Sequence, residues 1–270
     1  MYNKIVWLTG MPRSGTNWLS QIFASHPDVR LKFCPLFSYE FKNALDENSS
    51  PDEWRELFDK VYHTESEYLD QEYLRNKGYI PKFKIKNEKP SVLVIKSTRF
   101  HNLTQSILNK CPEIKWIAIV RNPCASIYSW LSNELEFPTD ANPMTEWRTG
   151  KCRKTGTGEF WGFDDWKRVS NMFLELNDRY PEQFRILRYE HLVKYALRES
   201  ESIFSFIGLD FSEQTKIFLE KSQSLHTTHQ RSVFKDPSWT ERWRDKIDQK
   251  IKSQIESEIM DTPLNIFLNK

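Results

Sequence analysis

The chain has 270 residues, enough for one large α/β domain with an ample core, and no Gly/Ser/Pro-rich linker or repeat divides it. A net charge of +2 and a pI near 8.2 exclude the broad basic surface of a general nucleic-acid-binding protein. No apolar run approaches the roughly 18 residues that a membrane-spanning helix needs.

The first predicted elements are a strand over 3–9 and a helix over 16–25. The strand is mostly apolar with β-branched residues, which is typical of a strand buried on both faces of a parallel sheet. Apolar residues then recur at helical spacing from Trp18 to Phe23, until Pro27 stops the pattern. A strand, a loop with glycines and a helix together direct backbone N–H groups and the helix dipole at an anion.

The loop between these elements has the Gly10-x4-Gly15 spacing of a Walker nucleotide loop. Thr16 and Asn17 stand where that loop has lysine and a hydroxyl residue, and the cation lies inside the loop at Arg13. Without the lysine–hydroxyl pair nothing obvious holds Mg²⁺ across two phosphates, so the loop favours a donor that needs no bridging metal. The simpler alternative is a strand-to-helix turn with a surface arginine.

The rest of the chain alternates strands and helices, which predicts one α/β domain over 1–270 with a central parallel sheet and helices on both faces. The segment 38–88 has a mixed helix and loop pattern. After it the predicted order is strand 91–96, helix 101–110, strand 114–120, helix 123–133, helix 163–179, strand 184–188, and then helices to the end.

A second anion motif follows the strand predicted over 114–120. Arg121 ends that strand, and Ser129 follows eight residues later, two turns into the next helix. Arginine offers a rigid fork of donors to a phosphate, and the serine could add a hydroxyl to the same group. Ligands of open α/β sheets bind beyond the carboxyl ends of strands, where both motifs lie. Each residue alone could be a routine surface or helix-packing residue.

The segment Pro12-Arg13-Ser14-Gly15-Thr16-Asn17-Trp18 resembles the 5'-phosphosulfate loop of sulfotransferases that use 3'-phosphoadenosine 5'-phosphosulfate (PAPS). Its usual form is Pro-Lys/Arg-Ser-Gly-Thr-Thr-Trp, from which only Asn17 departs. Arg121 and Ser129 are similar to the 3'-phosphate motif of the same family. The nearest resemblance is to the carbohydrate-type and bacterial soluble members.

The resemblance implies a P-loop NTPase-like sulfotransferase fold, PAPS as donor, adenosine 3',5'-bisphosphate (PAP) as product, and no required metal. The donor contacts that it implies are Arg13, Ser14, Gly15, Thr16, Asn17, Trp18, Arg121, Ser129 and Tyr189. Tyr189 belongs to a Tyr-Glu strand end similar to the family's adenine segment, and it either stacks on the purine or fills a gap at the sheet's end. In the polar stretch 230–239, Arg231 and Lys235 are further candidates for the 3'-phosphate, with a solvated basic loop as the alternative.

The implied reaction moves a sulfuryl group from PAPS to a hydroxyl or amine. The protein then mainly positions the reactants and stabilises charge, a task that we assign to Arg13 and the loop amides. Lys96 ends its strand like the family's strand-end lysine and is a candidate to neutralise the leaving oxygen or the sulfuryl group. The alternative is a lysine reaching from a strand edge into solvent.

The general base is where the sequence leaves the family pattern. Thr98 stands where cytosolic members have histidine, and Cys34 stands where carbohydrate-type members have glutamate in Phe-Glu-Pro-Leu. His101 and Glu40 are the nearest groups with suitable chemistry, and each could instead be a helix-start or surface residue. Cys34 is less suited, because a lone cysteine is usually only buried. The surrounding motif favours a sugar or glycan hydroxyl as acceptor.

Two irregular segments, 34–88 and 134–162, are predicted to form the walls of the acceptor site. Five aromatic residues lie within the segment 134–162 or just after it: Trp147, Phe160, Trp161, Phe163 and Trp166. They either stack on sugar rings or fill the core. The expected partners are therefore the nucleotide donor and a small-molecule or glycan acceptor.

Four scattered cysteines without metal-binding spacing favour free thiols in a reducing compartment. Because the sequence also starts directly with the first strand, a cytoplasmic enzyme is expected rather than a trimmed, membrane-anchored Golgi domain. Two other classes stay open: a non-catalytic PAPS-binding protein, and a P-loop kinase-like nucleotide enzyme, which would need the missing lysine–hydroxyl pair.

Overall fold

Five strands form one parallel sheet in the computed structural model, which describes residues 2–227, 229–234 and 236–268. Neighbours in the sheet follow the order β2-β3-β1-β4-β5, and every neighbouring pair is parallel. Because the strands run the same way, their carboxyl ends meet at one edge, which positions the loops that follow them. The strands are β1 Lys4–Thr9, β2 Val29–Phe33, β3 Val92–Ser97, β4 Ile114–Val120 and β5 Phe184–Arg188.

Helices cover both faces of this sheet, which confirms the predicted α/β class. In order they are α1 Thr16–Ala24, α2 Pro51–His63, α3 Glu72–Asn76, α4 Thr104–Lys110, α5 Pro123–Leu131, α6 Pro143–Thr149, α7 Gly162–Arg179, α8 Tyr189–Lys194, α9 Ala196–Phe206, α10 Glu213–Ser224 and α11 Gln249–Ile259. Short 3₁₀ turns lie at Pro35–Phe37, His101–Leu103, Lys151–Arg153, Pro237–Thr240 and Pro263–Phe267.

The core has two halves because successive side chains of a strand point to opposite faces of the sheet. In β1, Ile5 and Trp7 join the apolar cluster under α2, α4, α5 and α7, whereas Val6 and Leu8 join the cluster under α1, α9 and α10. Trp7 stacks on Trp116 of the adjacent β4, with ring centroids 5.0 Å apart. Burial on both faces explains why these strands read as continuous apolar runs.

The predicted strands and the helices that flank the glycine loop and Arg121 lie within two residues of their predicted bounds. Strand β2 was not predicted. Its sequence, Val29-Arg30-Leu31-Lys32-Phe33, places charges at alternate positions, which suits an edge strand but lacks the apolar run used to find the others. The buried Lys32 ammonium donates to Asp70 Oδ1 at 2.6 Å and to the Thr64 carbonyl at 2.5 Å, so its charge is stabilised by residues of other segments.

The two irregular segments carry more regular structure than the sequence patterns indicated. The segment 34–88 holds α2 and α3, and the segment 134–162 holds α6. Trp147 of α6 packs against Phe163 of α7 at 5.7 Å, and Trp166 lies on the same side within the core. Within the described ranges, no helix combines the length and apolar character needed to cross a bilayer.

Candidate active site

A cleft of about 430 Å³ opens at the carboxyl edge of the sheet. Its walls come from the loop after β1, the end of β3, the junction of β4 with α5, and the start of α8. Its lining residues run from Pro12 to Trp243, so it collects groups from segments that lie far apart in the sequence. The predicted site residues that line it are Arg13, Gly15, Thr16, Asn17, Trp18, Lys96, Arg121, Ser129 and Tyr189.

Arg13 joins the two anion motifs. Its Nε donates a hydrogen bond to Ser129 Oγ at 3.2 Å, and its carbonyl oxygen accepts one from Arg121 Nη1 at 3.0 Å. The Arg13 backbone is in the left-handed region, with φ 69°, which is unusual for a residue with a side chain. The two motifs are thus in direct contact, and the groups that these bonds leave unused could bind one anionic ligand.

The loop bends sharply at Gly15, where φ is 91° and helix α1 begins at the next residue. A Cβ at this position would lie 2.3 Å from Cδ2 of Tyr189, so the tyrosine ring packs directly on the glycine backbone. The first N–H groups of α1 have no partners within the helix and are suited to bind an anion. Ser14 does not line the cleft; it is buried, and its hydroxyl has no hydrogen-bond partner among the described residues.

Tyr189 and Arg121 form one wall of the cleft. The Arg121 guanidinium carbon lies 4.7 Å from the centre of the Tyr189 ring, and burial raises the pKa of that tyrosine. Trp18 is held by a hydrogen bond from its Nε1 to Ser222 Oγ at 2.9 Å. Arg231 lines the same cleft, whereas Lys235 lies outside the described residues.

Lys96 lies at the bottom of the cleft. The side chain is almost fully buried, its Nζ donates to Asn17 Oδ1, and the same nitrogen lies 4.7 Å from the centre of the Phe33 ring. Burial lowers the pKa of Lys96 to about 8. Asn17, the one departure from the family loop, therefore supplies a partner for the strand-end lysine, which a threonine is too short to reproduce in the same way.

The junction of β4 and α5 is fixed by hydrogen bonds on both sides of Arg121. Asn122 caps α5 by accepting from Ala125 N at 3.3 Å, and its own N–H donates to Glu190 Oε1 at 2.9 Å. Trp166 Nε1 donates to the Arg121 carbonyl at 3.1 Å. These bonds hold the backbone from which Arg121 and Ser129 reach the cleft.

The sulfotransferase family matches residues 6–213, which contain both anion motifs, most of β1 and all of the other four strands. The chain belongs to the sulfotransferase family. No curated protein is found as a sequence relative.

Solved structures with the same fold include a mouse sulfotransferase complexed with PAP, at 16% identity and a TM-score of 0.53 over 95% of this chain and 84% of that one. A sulfotransferase domain from the curacin biosynthetic pathway has 17% identity and a TM-score of 0.53, over 96% and 99% of the two chains. The sulfotransferase domain of the Synechococcus PCC 7002 olefin synthase has 17% identity and a TM-score of 0.52, over 97% and 96%.

The two predicted base candidates of this sulfotransferase do not line the cleft. His101 is buried between the edges of Phe160 and Phe173, its Nδ1 lies 3.2 Å from Thr9 Oγ1, and burial lowers its pKa to about 3. Glu40 is exposed on the surface, outside the cleft lining. A base must reach the proton that it removes, and neither side chain is placed to do so in this structure.

Cys34 and Thr98, which replace the family's usual bases, differ in their surroundings. Cys34 is fully buried, with its Sγ 3.5 Å from Ser97 Oγ, whereas Thr98 lines the cleft. Desolvation raises the pKa of the Cys34 thiol, which keeps it protonated. Neither residue offers a strong base.

Sequence analysis missed Glu136, the only carboxylate among the described residues that line the cleft. Its Oε1 lies 3.6 Å from Arg13 Nη1. The other ionisable lining residues are mostly cations: Arg13, Lys96, Arg99, Arg121, Arg153, Arg231 and Arg242. No family motif marks Glu136, and the available signal was only its place just after the helix that carries Ser129.

Proposed function

We propose that this enzyme transfers a sulfuryl group from PAPS to an acceptor hydroxyl or amine and releases PAP. The observation that carries the proposal is the contact of Arg13 with both Ser129 and Arg121, which unites a 5'-phosphosulfate loop with a 3'-phosphate motif. A nucleotide with phosphates at both ends of its ribose needs two such sites. The mouse relative solved with PAP supports this choice of donor.

The residues present fit such a donor. Arg121 Nε is buried and has no hydrogen-bond partner among the described residues, so a phosphate oxygen would satisfy it. The cationic lining suits a ligand that carries several negative charges. Arg13, the N–H groups that open α1, and Lys96 would stabilise the charge that develops on the sulfuryl group and the leaving phosphate.

The acceptor class is proposed to be a sugar or glycan hydroxyl. Support comes from the resemblance around Cys34 and from the aromatic side chains of Tyr128 and Trp161 in the lining, which suit the faces of sugar rings. Of the five aromatic residues around 147–166, Trp161 alone is found in the lining; the others belong to the core. The cytoplasmic location, based on the four free cysteines, stays a prediction.

The donor assignment is tested by thermal unfolding with PAP, ATP plus Mg²⁺, or adenosine 5'-phosphate. PAP at about 100 times its dissociation constant should add about 2.7 kcal/mol to the free energy of unfolding, and the other two ligands much less. The Arg121→Ala variant should lose the selectivity for PAP. Arg55→Ala, at an exposed position on α2, is the matched control and should keep it.

Equal stabilisation by all three nucleotides would overturn the donor assignment. Stabilisation by ATP and Mg²⁺ alone would instead support a P-loop kinase-like enzyme. Selective PAP binding, without transfer of a radiolabelled sulfuryl group to any member of a broad acceptor panel, would favour a non-catalytic PAPS-binding protein.

A further inference from the structure

Glu136 is held in place by the turn that follows α5. The Asn133 carbonyl accepts hydrogen bonds from the N–H groups of Glu136 and Phe137 at 2.9 and 2.7 Å, and Asn133 Oδ1 accepts from Leu135 N at 3.0 Å. Phe137 packs edge-on against Trp130 at 5.3 Å. The carboxylate therefore projects from an anchored turn, which restricts its position in the cleft.

The Glu136 carboxylate has one oxygen available. Oε1 faces Arg13, but Oε2 is buried and has no hydrogen-bond partner among the described residues. A buried carboxylate oxygen without a donor is unfavourable, because no hydrogen bond offsets the free energy lost when it leaves water. The Glu136 side chain is 30% exposed, so a rotation of the carboxylate would present this oxygen to an acceptor O–H or N–H in the cleft. Arg13 belongs to the loop that binds the transferring group, so Glu136 also lies beside the place where that proton must be removed.

We infer that Glu136 is the general base of the transfer, an inference that rests on the proposed function. Its carboxylate takes the proton of the acceptor hydroxyl or amine as the acceptor atom bonds to sulfur. The bond between sulfur and the oxygen of the 5'-phosphate breaks, and its electron pair stays on that oxygen in PAP. The proton leaves Glu136 for solvent after the sulfated product departs, so no other reactant is needed.

The inference explains why the cleft tolerates a carboxylate among so many cations. An acid there weakens the attraction for an anionic donor, so a purely donor-binding cleft would have no use for it. When the donor's phosphosulfate engages Arg13, the ion pair with Glu136 loosens and the carboxylate is free to accept a proton. Donor binding thereby prepares the base.

The test uses PAPS with water as the acceptor. Enzyme in excess over radiolabelled PAPS is followed for release of inorganic sulfate, and PAP binding is followed separately by thermal unfolding. Glu136→Gln should keep the PAP-induced shift and release sulfate at least about 100-fold more slowly than the wild type. Glu134→Gln, an exposed position in the same turn, is the control and should match the wild type. In Glu136→Gly, added formate should restore the rate at least about tenfold, which a merely structural carboxylate would not allow.

Two outcomes would overturn the inference while leaving the donor assignment intact: sulfate release by Glu136→Gln at the wild-type rate, and no effect of formate on Glu136→Gly. Loss of the PAP shift in Glu136→Gln would also overturn it, because Glu136 would then belong to the donor site. If PAP did not change the thermal unfolding of the wild type, that result would instead contradict the proposed function.

Discussion

At the scale of single residues, Gly15 shows how one hydrogen atom in place of a side chain shapes the loop. Its backbone is left-handed, and the Tyr189 ring occupies the volume that a Cβ would need. Both the conformation and the contact therefore require glycine. The family resemblance predicted a glycine here, but only the folded chain shows that the ring of Tyr189, 174 residues away, is the reason.

Gly15→Ala should weaken PAP binding at least tenfold and lower the free energy of unfolding by more than the ~1–2 kcal/mol that the left-handed backbone costs an alanine. Gly78→Ala isolates the backbone cost, since φ is 72° there and no atom lies within 4 Å of the added Cβ. Chemical denaturation and calorimetric titration with PAP would measure both effects. Equal losses in the two variants, with PAP affinity unchanged, would show that Tyr189 moves aside freely.

At the scale of elements, the cap of α5 lies between the two residues proposed to bind the 3'-phosphate. Asn122 is almost fully buried and caps the helix, while Arg121 precedes it and Ser129 lies two turns later. A fault in the cap should therefore disturb two donor contacts at once. The same type of cap at α2, where Ser50 and Glu53 form a capping box, lies far from the cleft lining.

Asn122→Ala should lower the free energy of unfolding by about 1 kcal/mol and also reduce the PAP-induced shift. Asn122→Ser should restore most of both, because serine also caps helices. Ser50→Ala should cost a similar free energy and leave the shift unchanged. If Asn122→Ala and Ser50→Ala had the same small effect on PAP binding, the cap would not position Arg121.

At the scale of the whole molecule, charge is distributed unevenly. The chain as a whole carries +2, yet among the described residues the cleft collects seven arginine and lysine side chains against one carboxylate. Acidic and basic residues elsewhere pair on the surface, for example Arg148 with Glu258 and Lys60 with Glu56. Long-range attraction of an anion should therefore depend on the cleft alone.

Raising NaCl from about 50 to about 500 mM should weaken PAP binding by about tenfold or more, because salt screens exposed charges. Arg231→Gln, in the cleft, should weaken binding and flatten that dependence. Lys250→Gln, on the exposed surface of α11, should do neither. Isothermal titration at several salt concentrations measures all three, and an affinity that salt leaves unchanged would contradict the electrostatic account.

Local patterns were sufficient for much of the fold and for locating the two motifs that are proposed to bind the donor. Apolar runs predicted β1, β3 and β4, because burial on both faces leaves a strong signal in the sequence. The partly buried edge strand β5 was predicted as the segment that leads into Tyr189 and Glu190. Motif spacing brought Arg13, Arg121 and Ser129 into one hypothesis. Strand β2 was not predicted, because its two charged residues break the apolar run and are stabilised by partners from other segments.

The acceptor half shows what only the tertiary structure decided. The sequence predicts His101 as a suitable base. In the structure it is buried between Phe160 and Phe173, which separates it from the cleft and lowers its pKa. Glu136 carries no motif, yet the turn after α5 sets it beside Arg13. The sequence by itself determined the family, the α/β class and the strand, glycine loop and helix at the start of the chain, since these depend on contiguous residues. Which carboxylate or imidazole enters the cleft depends on packing between distant segments, and a linear pattern does not record that.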